Sequence, residues 1–289
     1  MGHHRSPAPR RPRQSQRQAP PARTSTASGF SVGVGFRPVG NSWLRRLSPA
    51  PENGSHTVVC FPHAGGSAIS YGPLAKRLGS EYDVVAVQYP GRQDRRREPL
   101  VGTISDLVDG LFTELTETLA GVSHFSLFGH SMGSAVAFET CRRLERDTEA
   151  RAAVLFASGR RAPSQQGIEV MHTLSDRALA DHLLNYGGTP AALLEDPEMR
   201  DMILTVTRND YRAIETYVCA PGATVECPIV ALAGDRDADA SLADIEGWGS
   251  HTTGNFLART FPGGHFFLDA NGDAVAQLIS QHSSRALSN

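Results

Sequence analysis

From about Thr57 onwards, short apolar runs rich in β-branched residues alternate with longer segments whose apolar residues recur at helical spacing. The runs are nearly continuous in apolar character, which is typical of strands covered on both faces. This alternation predicts an α/β fold, with a mostly parallel central sheet whose strands are joined by crossover helices. The predicted strands cover residues 57–61, 82–89, 124–129, 152–158, 228–234 and 255–261, and the clearest predicted helices cover 103–121 and 273–285.

One segment interrupts the alternation. Residues from about 170 to 217 contain two helical patterns and no convincing strand, between the predicted strands 152–158 and 228–234. Ligands of parallel sheets bind outside the carboxyl ends of the strands, which is where such an insertion begins and ends. The segment is therefore predicted to form a helical lid over a binding site.

The N-terminal segment differs from the rest of the chain in composition. Residues 1–51 contain nine of the 28 basic residues and none of the 30 acidic ones, so the remainder has a formal charge of −11. The Pro-, Arg- and Ser-rich residues 1–42 have too little apolar surface to offset the entropy of ordering them, and we predict a disordered tail followed by one domain over 43–289. An organelle transit peptide and a nucleic-acid-binding arm are alternatives, opposed respectively by the prolines and by the acidic domain.

Several broad classes are disfavoured. No apolar run approaches the roughly 20 residues of a membrane helix, and no secretory signal follows the basic N terminus. The four cysteines have neither CxxC nor paired spacing, so they suggest neither a zinc site nor a disulfide framework. We predict a cytoplasmic protein that binds neither a membrane nor a nucleic acid.

The pentapeptide Gly129-His130-Ser131-Met132-Gly133 lies between a predicted strand and a helix. This is the context of a nucleophile elbow, in which a serine at a tight turn needs small residues two positions before and after it. The alternative is a serine that only caps the helix in a glycine-rich turn. We predict that Ser131 is a nucleophile.

A serine nucleophile needs a histidine base oriented by a carboxylate, in the chain order Ser, acid, His. Asp235, Asp237 and Asp239 follow the predicted strand 228–234, and His265 follows the next strand on a glycine-containing loop. We choose Asp237 as the acid, with Asp235 as the second choice, and His265 as the base.

Acyl transfer also needs backbone N–H groups that stabilise the oxyanion of the tetrahedral intermediate. One is expected on the residue after the nucleophile, Met132, and the other on a loop after an early strand. Residues 61–67, FPHAGGS, follow the first predicted strand, and we choose the amide of Ala64. The alternative for this loop is a simple glycine-rich turn.

Several motifs together resemble a known family from about Trp43 to the C-terminal helix. They are FPHAGGSAISYGPLAKRL, VQYPGRQDRRREP, FGHSMGSAVAFE, GDRD with a following EGW, and FPGGHFFL. In this order and at this spacing they are similar to the type II thioesterases of polyketide and nonribosomal peptide assembly lines. The resemblance implies an α/β-hydrolase fold with a helical lid, a triad of Ser131, Asp237 and His265, and an oxyanion hole at Ala64 and Met132.

The resemblance also implies a substrate and a partner. Type II thioesterases hydrolyse acyl groups from the phosphopantetheine arm of acyl or peptidyl carrier proteins, and so remove stalled or aberrant units. No metal or organic cofactor is implied, and we expect a monomer. Because carrier proteins are usually acidic, Arg92, Arg95, Arg96 and Arg97 form a candidate docking patch. The alternative is a solvated loop in which some of these arginines pair with Glu98 or Asp94.

Other functions use the same fold. A medium-chain fatty acyl thioesterase or a generic carboxylesterase or peptidase would need the same triad. A noncatalytic, hydrolase-like binding protein would have no need of Ser131, Asp237 and His265 together, which disfavours it.

Overall fold

A computed structural model describes residues 1–2, 37–38, 43–48, 56–165, 167 and 170–285 of the chain. The chain divides into two units, Met1–Gly33 and Val34–Asn289, and the fold below belongs to the second. Apart from residues 1–2 and 37–38, the segment 1–42 that is predicted to be disordered lies outside the described residues. Arg37–Pro38 (β1) pairs antiparallel with Leu44–Arg46 (β2), so backbone pairing begins before the predicted domain boundary at residue 43.

The central sheet has eight strands in the order β1-β2-β4-β3-β5-β6-β7-β8. Strands β3 to β8 run parallel, while β1 and β2 are antiparallel additions at one edge. The predicted strands are confirmed with small changes at their ends. They are β3 (His56–Phe61), β4 (Tyr82–Val87), β5 (Phe125–His130), β6 (Leu155–Ser158), β7 (Ile229–Gly234) and β8 (Phe256–Phe261).

Eight helices connect or follow these strands in the described residues. They are α1 (Gly72–Leu78), α2 (Ile104–Leu119), α3 (Met132–Asp147), α4 (Asp176–Tyr186), α5 (Ala191–Glu195), α6 (Pro197–Glu215), α7 (Leu242–Glu246) and α8 (Phe267–Arg285). Helix α8 begins before the predicted start at residue 273 and bends at Asn271, whose φ is −112°. The Asn271 side-chain amide donates to the carbonyl oxygens of Pro262 and Phe267 at 2.8 Å, which stabilises this bent first turn.

Successive residues of the central strands contribute to two separate cores, because side chains alternate between the faces of a sheet. Val59 of β3 belongs to the core with α2 and α3, whereas the preceding Val58 belongs to the core with α1 and α8. Both valines are fully buried. The sheet is therefore covered by helices on both faces, as its continuous apolar strands predicted.

The predicted helical insertion is confirmed between β6 and β7. Helices α4, α5 and α6 share a small apolar cluster of their own, which contains Leu179, Leu183, Leu194 and Leu204. Asp196 caps α6 by accepting a hydrogen bond from the Met199 amide at 2.8 Å. These helices form the lid described below.

None of the helices among the described residues is long and apolar enough to cross a membrane.

Candidate active site

Ser131 lies between the end of β5 and the first residue of α3, with φ 54° and ψ −121°. A non-glycine residue rarely adopts this left-handed region, so the backbone at Ser131 is strained. A Cβ atom on Gly129 would lie 2.3 Å from the Gly133 carbonyl oxygen, and one on Gly133 would lie 1.9 Å from that of Phe61. Both neighbouring positions therefore require glycine. The Ser131 side chain makes no capping hydrogen bond, which removes the basis of the helix-cap alternative.

Asp237 and His265 form a buried pair at the ends of β7 and β8. The carboxylate oxygen Oδ2 of Asp237 lies 2.8 Å from Nδ1 of His265, and the two side chains are 0% and 4% exposed. A Cβ on Gly234 would overlap the carbonyl oxygens of Gly263 and Gly264, so glycine lets the two loops approach each other. The arrangement leaves Nε2 of His265 as the nitrogen that faces away from Asp237.

Asp235, the second choice for the acid, lies elsewhere. It is exposed, and its Oδ1 accepts a hydrogen bond at 2.9 Å from the Gly263 amide. Asp239 donates its backbone N–H to Oδ1 of Asp237 at 3.1 Å. Of the three aspartates in this loop, the structure brings Asp237 to His265 and leaves Asp235 to hold the loop that carries the histidine.

Ser131 and His265 line one cavity of about 320 Å³. The described contacts include no direct hydrogen bond between the two side chains, and such catalytic bonds are often longer without substrate. The walls come from the loop after β3, from residues near Arg92 and from the lid. The lid contributes a mainly apolar surface that contains Leu183, Leu193, Met199, Met202, Ile203 and Val206.

The two predicted oxyanion donors belong to two different elements. Ala64 lines the cavity on the loop after β3, and Met132 is the buried first residue of α3, where backbone N–H groups lack helical partners. The next residue, Gly65, has φ 75° and donates its N–H to Oδ2 of Asp210 at 2.8 Å. Lid helix α6 therefore holds the loop that carries Ala64.

Two further histidines surround His265. The rings of His130 and His265 are 5.0 Å apart, and those of His63 and His130 are 6.0 Å apart. Burial, with added repulsion from His265 and His63, lowers the pKa of His130 well below its usual value. Burial, with repulsion from His265 and Arg92, lowers the pKa of His63 to about 4. Both rings are therefore neutral near pH 7.

The docking patch proposed from sequence needs a correction for two of its four arginines. Arg92 is buried in an ion pair with Asp210, and Arg95 is buried against Glu98 with its guanidinium 4.4 Å from the Trp43 ring. Each of these two guanidinium groups forms an ion pair with a carboxylate of the same domain. Only Arg96 and Arg97 of the four are exposed.

Sequence reasoning also missed contacts to the lid. The Tyr186 ring lies 4.6 Å from that of His265, and the Tyr186 hydroxyl donates to the Asp239 carboxylate. Tyr186 and Asp210 are distant in sequence from the residues they contact, and neither belongs to a motif that signals the contact. Only the packing of the lid in the structure reveals these contacts.

A possible metal-binding group lies apart from the cavity. Cys141, Glu145 and Cys227 are the one set of three such side chains within 4.8 Å of one another in the described part of the chain. The two sulfur atoms are 3.6 Å apart, and their hydrogen bond together with burial raises the pKa of the Cys141 thiol. The group offers three ligands, one fewer than a structural zinc site takes, and we assign no metal here. The absence of a cofactor in the reaction stays a prediction.

A family model described as the Thioesterase domain matches residues 56–283. The chain belongs to the thioesterase family. This thioesterase is 41% identical over 240 residues to Thioesterase PikA5 of Streptomyces venezuelae, an alignment that covers 83% of this chain and 85% of the relative. It is 45% identical over 249 residues to a probable cadicidin biosynthesis thioesterase of Streptomyces griseus, covering 84% of this chain and 67% of the relative.

A solved structure agrees with these relatives. The thioesterase is similar to the type II thioesterase BorB from the borrelidin biosynthetic cluster, with a TM-score of 0.75 and 40% identity, covering 84% of this chain and 98% of that one. The predicted α/β-hydrolase fold and the resemblance to type II thioesterases are thereby confirmed. The protein is a thioester hydrolase.

Proposed function

We propose that this thioesterase removes acyl groups from the phosphopantetheine arm of acyl or peptidyl carrier proteins, as an editing enzyme of polyketide or nonribosomal peptide biosynthesis. The main support is the strained Ser131 beside the buried Asp237–His265 pair, at one cavity under a helical lid. The biosynthetic setting is inferred from the names of the relatives. The proposal assigns catalytic roles to Ser131, Asp237 and His265.

In the first half-reaction, Nε2 of His265 accepts the proton of the Ser131 hydroxyl while the serine oxygen attacks the thioester carbonyl carbon. Asp237 accepts the hydrogen bond of Nδ1–H, which fixes the tautomer in which Nε2 is the base. The amides of Ala64 and Met132 donate to the oxyanion. The C–S bond then breaks, the departing sulfur takes the proton from Nε2 of His265 and leaves as the thiol, and an acyl-enzyme remains.

In the second half-reaction, water attacks the acyl-enzyme and His265 again accepts the proton. The C–O bond to Ser131 breaks as His265 returns the proton to the serine oxygen, so the carboxylic acid leaves and both the serine and the neutral histidine are restored. Neutral His63 and His130 do not add positive charge near His265, so its ring can take up a proton without repulsion from theirs. No step of this mechanism needs a group from outside the chain other than water.

The cavity supports an acyl substrate. Apolar side chains of the lid face Ser131 across a space of about 320 Å³, so burial of an acyl chain would favour binding. The same surface would accept a medium-chain fatty acyl group. The nature of the carrier, rather than the chemistry at Ser131, separates the proposed editing role from that alternative.

A hydrolysis assay tests the proposal. Acetyl, propionyl, aminoacyl and octanoyl groups would be loaded on carrier protein and, separately, supplied as acyl-pantetheine, with matched oxyesters and Ser131→Ala as controls. We expect thioester turnover that is faster on the carrier and lost in Ser131→Ala. Equal rates on carrier and pantetheine would contradict the editing role, and preference for octanoyl groups would favour the fatty acyl alternative.

A further inference from the structure

The lid touches the proposed catalytic carboxylate through a second aspartate. Tyr186 is the last residue of α4, and its hydroxyl donates a hydrogen bond to Oδ2 of Asp239. The backbone N–H of Asp239 in turn donates to Oδ1 of Asp237 at 3.1 Å. Oδ2 of Asp237 is the atom paired with His265. A continuous chain of hydrogen bonds therefore runs from the lid to the histidine.

The tyrosine ring makes an independent contact with the same histidine. The ring centroids of Tyr186 and His265 are 4.6 Å apart at an interplanar angle of 38°. His182, one helical turn earlier, stacks on Tyr186 with centroids 4.9 Å apart. Tyr186 thus limits the freedom of both partners of the Asp237–His265 pair.

The position of Tyr186 is fixed by the end of its helix. Gly187 and Gly188 have φ values of 86° and 83°, so α4 ends abruptly after the tyrosine. A Cβ on Gly188 would lie 2.4 Å from the Phe266 ring, the residue after His265. The tyrosine hydroxyl is also kept protonated, because burial and the Asp239 carboxylate raise its pKa. It therefore stays a donor.

We propose that Tyr186 is a positioning residue that holds Asp239, and through it Asp237 and His265, in the geometry needed to activate Ser131. This inference rests on the roles proposed above for the triad. It extends them because the lid would support the catalytic pair as well as form a wall of the cavity. Loss of the hydroxyl should slow the chemical step without weakening substrate binding.

Tyr186→Phe tests this, because it keeps the ring and removes only the hydroxyl. The matched control is Tyr217→Phe, which removes a phenol bonded to the Glu139 carboxylate at 2.5 Å, away from the cavity. The rate of Ser131 labelling by a fluorophosphonate, kcat and KM for acyl-pantetheine, and the melting temperature would be measured for each. We expect Tyr186→Phe to lower the labelling rate and kcat about tenfold and to leave KM within about twofold. Tyr217→Phe should change the labelling rate, kcat and KM by no more than about twofold each. The melting temperature shows whether each variant is still folded.

A double-mutant cycle adds a second readout. Because Tyr186 acts through Asp239, Tyr186→Phe combined with Asp239→Asn should lose no more activity than the more damaging single variant. Additive losses, a Tyr186→Phe labelling rate within twofold of the unchanged enzyme, or an equal loss in Tyr217→Phe would each overturn the proposal. Labelling needs no carrier protein, so this inference can hold even if the carrier assay contradicts the editing role. Conversely, the carrier assay can support the editing role even if Tyr186→Phe has no effect on labelling.

Discussion

At the scale of single residues, Asp235 and Asp237 lie two positions apart after β7 and have different roles. Asp237 has no exposed side-chain surface and contacts His265, whereas Asp235 is exposed and holds the Gly263 amide. A carboxylate beside the imidazole fixes its tautomer and stabilises it when protonated. Burial and contact, rather than spacing from the strand, thus distinguish the two.

Asp237→Asn should lower kcat/KM for acyl-pantetheine by about 10³- to 10⁴-fold, because the amide favours the wrong tautomer of His265. Asp235→Asn should stay within about threefold of the unchanged enzyme, since its amide oxygen can still accept from Gly263. Steady-state kinetics on both purified variants check this. Comparable losses in the two would contradict the assignment of the acid.

The buried side chain of His56 should make the stability of the protein depend on pH. It is buried at the start of β3 with Nε2 2.8 Å from the Ser126 hydroxyl, and burial, with repulsion from His124, lowers its pKa from 6.5 to about 4. Between these pH values the unfolded chain binds a proton that the folded chain does not. Titration of His56 should therefore leave the free energy of unfolding unchanged above about pH 6.5 and lower it as the pH falls towards 4.

His56→Gln removes this titration while keeping a side chain that can bond Ser126. Urea denaturation of both proteins from pH 7.5 to 4 should give a shallower decline for the variant, by up to about 1.4 kcal/mol per pH unit. Other titrating groups are common to both proteins and cancel in the comparison. Parallel curves would show that His56 does not contribute.

At the scale of secondary-structure elements, Asp210 joins lid helix α6 to the loop after β3. Its carboxylate accepts from the Gly65 amide and pairs with Arg92, and the side chains of this ion pair are 2% and 7% exposed. Removing one partner of a buried ion pair leaves an uncompensated charge. The lid and the proposed oxyanion loop, residues 61–67, should therefore be energetically coupled.

Asp210→Asn should lower the free energy of unfolding by about 3 kcal/mol, because it leaves the Arg92 charge buried without its partner. The control on the same helix is Asp201→Asn, whose carboxylate is 76% exposed and 3.9 Å from Arg200. That change should cost less than about 0.5 kcal/mol. Chemical denaturation measures both, and similar costs would argue against the coupling.

The elements also show what sequence patterns can predict. Strands β3 to β7 were predicted because each is a nearly continuous apolar run. Strand β2 was missed because Leu44–Arg46 is short and contains two arginines, one paired with Asp83 and one with Asp94. Helix α5, with five residues, is too short for helical periodicity to reveal.

The residues of the proposed site likewise fall into those that sequence patterns predict and those that they do not. Ser131, Asp237 and His265 follow strand ends, so the topology of a parallel sheet brings them together from local patterns alone. The contacts of Tyr186 with Asp239 and of Asp210 with Gly65 join segments with no shared motif. They depend on how the lid docks on the sheet, and the approach of Cys141 to Cys227 is likewise set by packing.

At the scale of the whole molecule, charge is unevenly distributed. Residues 52–289 carry a formal charge of −11, so an acidic carrier protein would be repelled except where local cations attract it. Burial of Arg92 and Arg95 leaves Arg96 and Arg97 as the exposed cations of the proposed patch. A docking test should therefore exclude the two buried arginines, whose replacement would damage the fold.

Reversing Arg96 and Arg97 to Glu should lower kcat/KM about tenfold for carrier-linked acyl groups at low salt, and less at high salt. Turnover of acyl-pantetheine should not change, because the cavity is untouched. Arg259→Glu, at an exposed position on edge strand β8, is a control for charge reversal away from the patch, with half the change in net charge. Equal effects of the two charge reversals would place docking elsewhere.

The dispersal of the site along the chain has a consequence for its synthesis. The oxyanion loop follows β3, Ser131 follows β5, Asp237 follows β7 and His265 follows β8, close to the end of the sequence. A nascent chain therefore lacks the proposed general base until β8 and the loop after it have been synthesised. On the roles proposed above, hydrolytic competence requires completion of the sheet, so chains interrupted before β8 should not hydrolyse acyl thioesters.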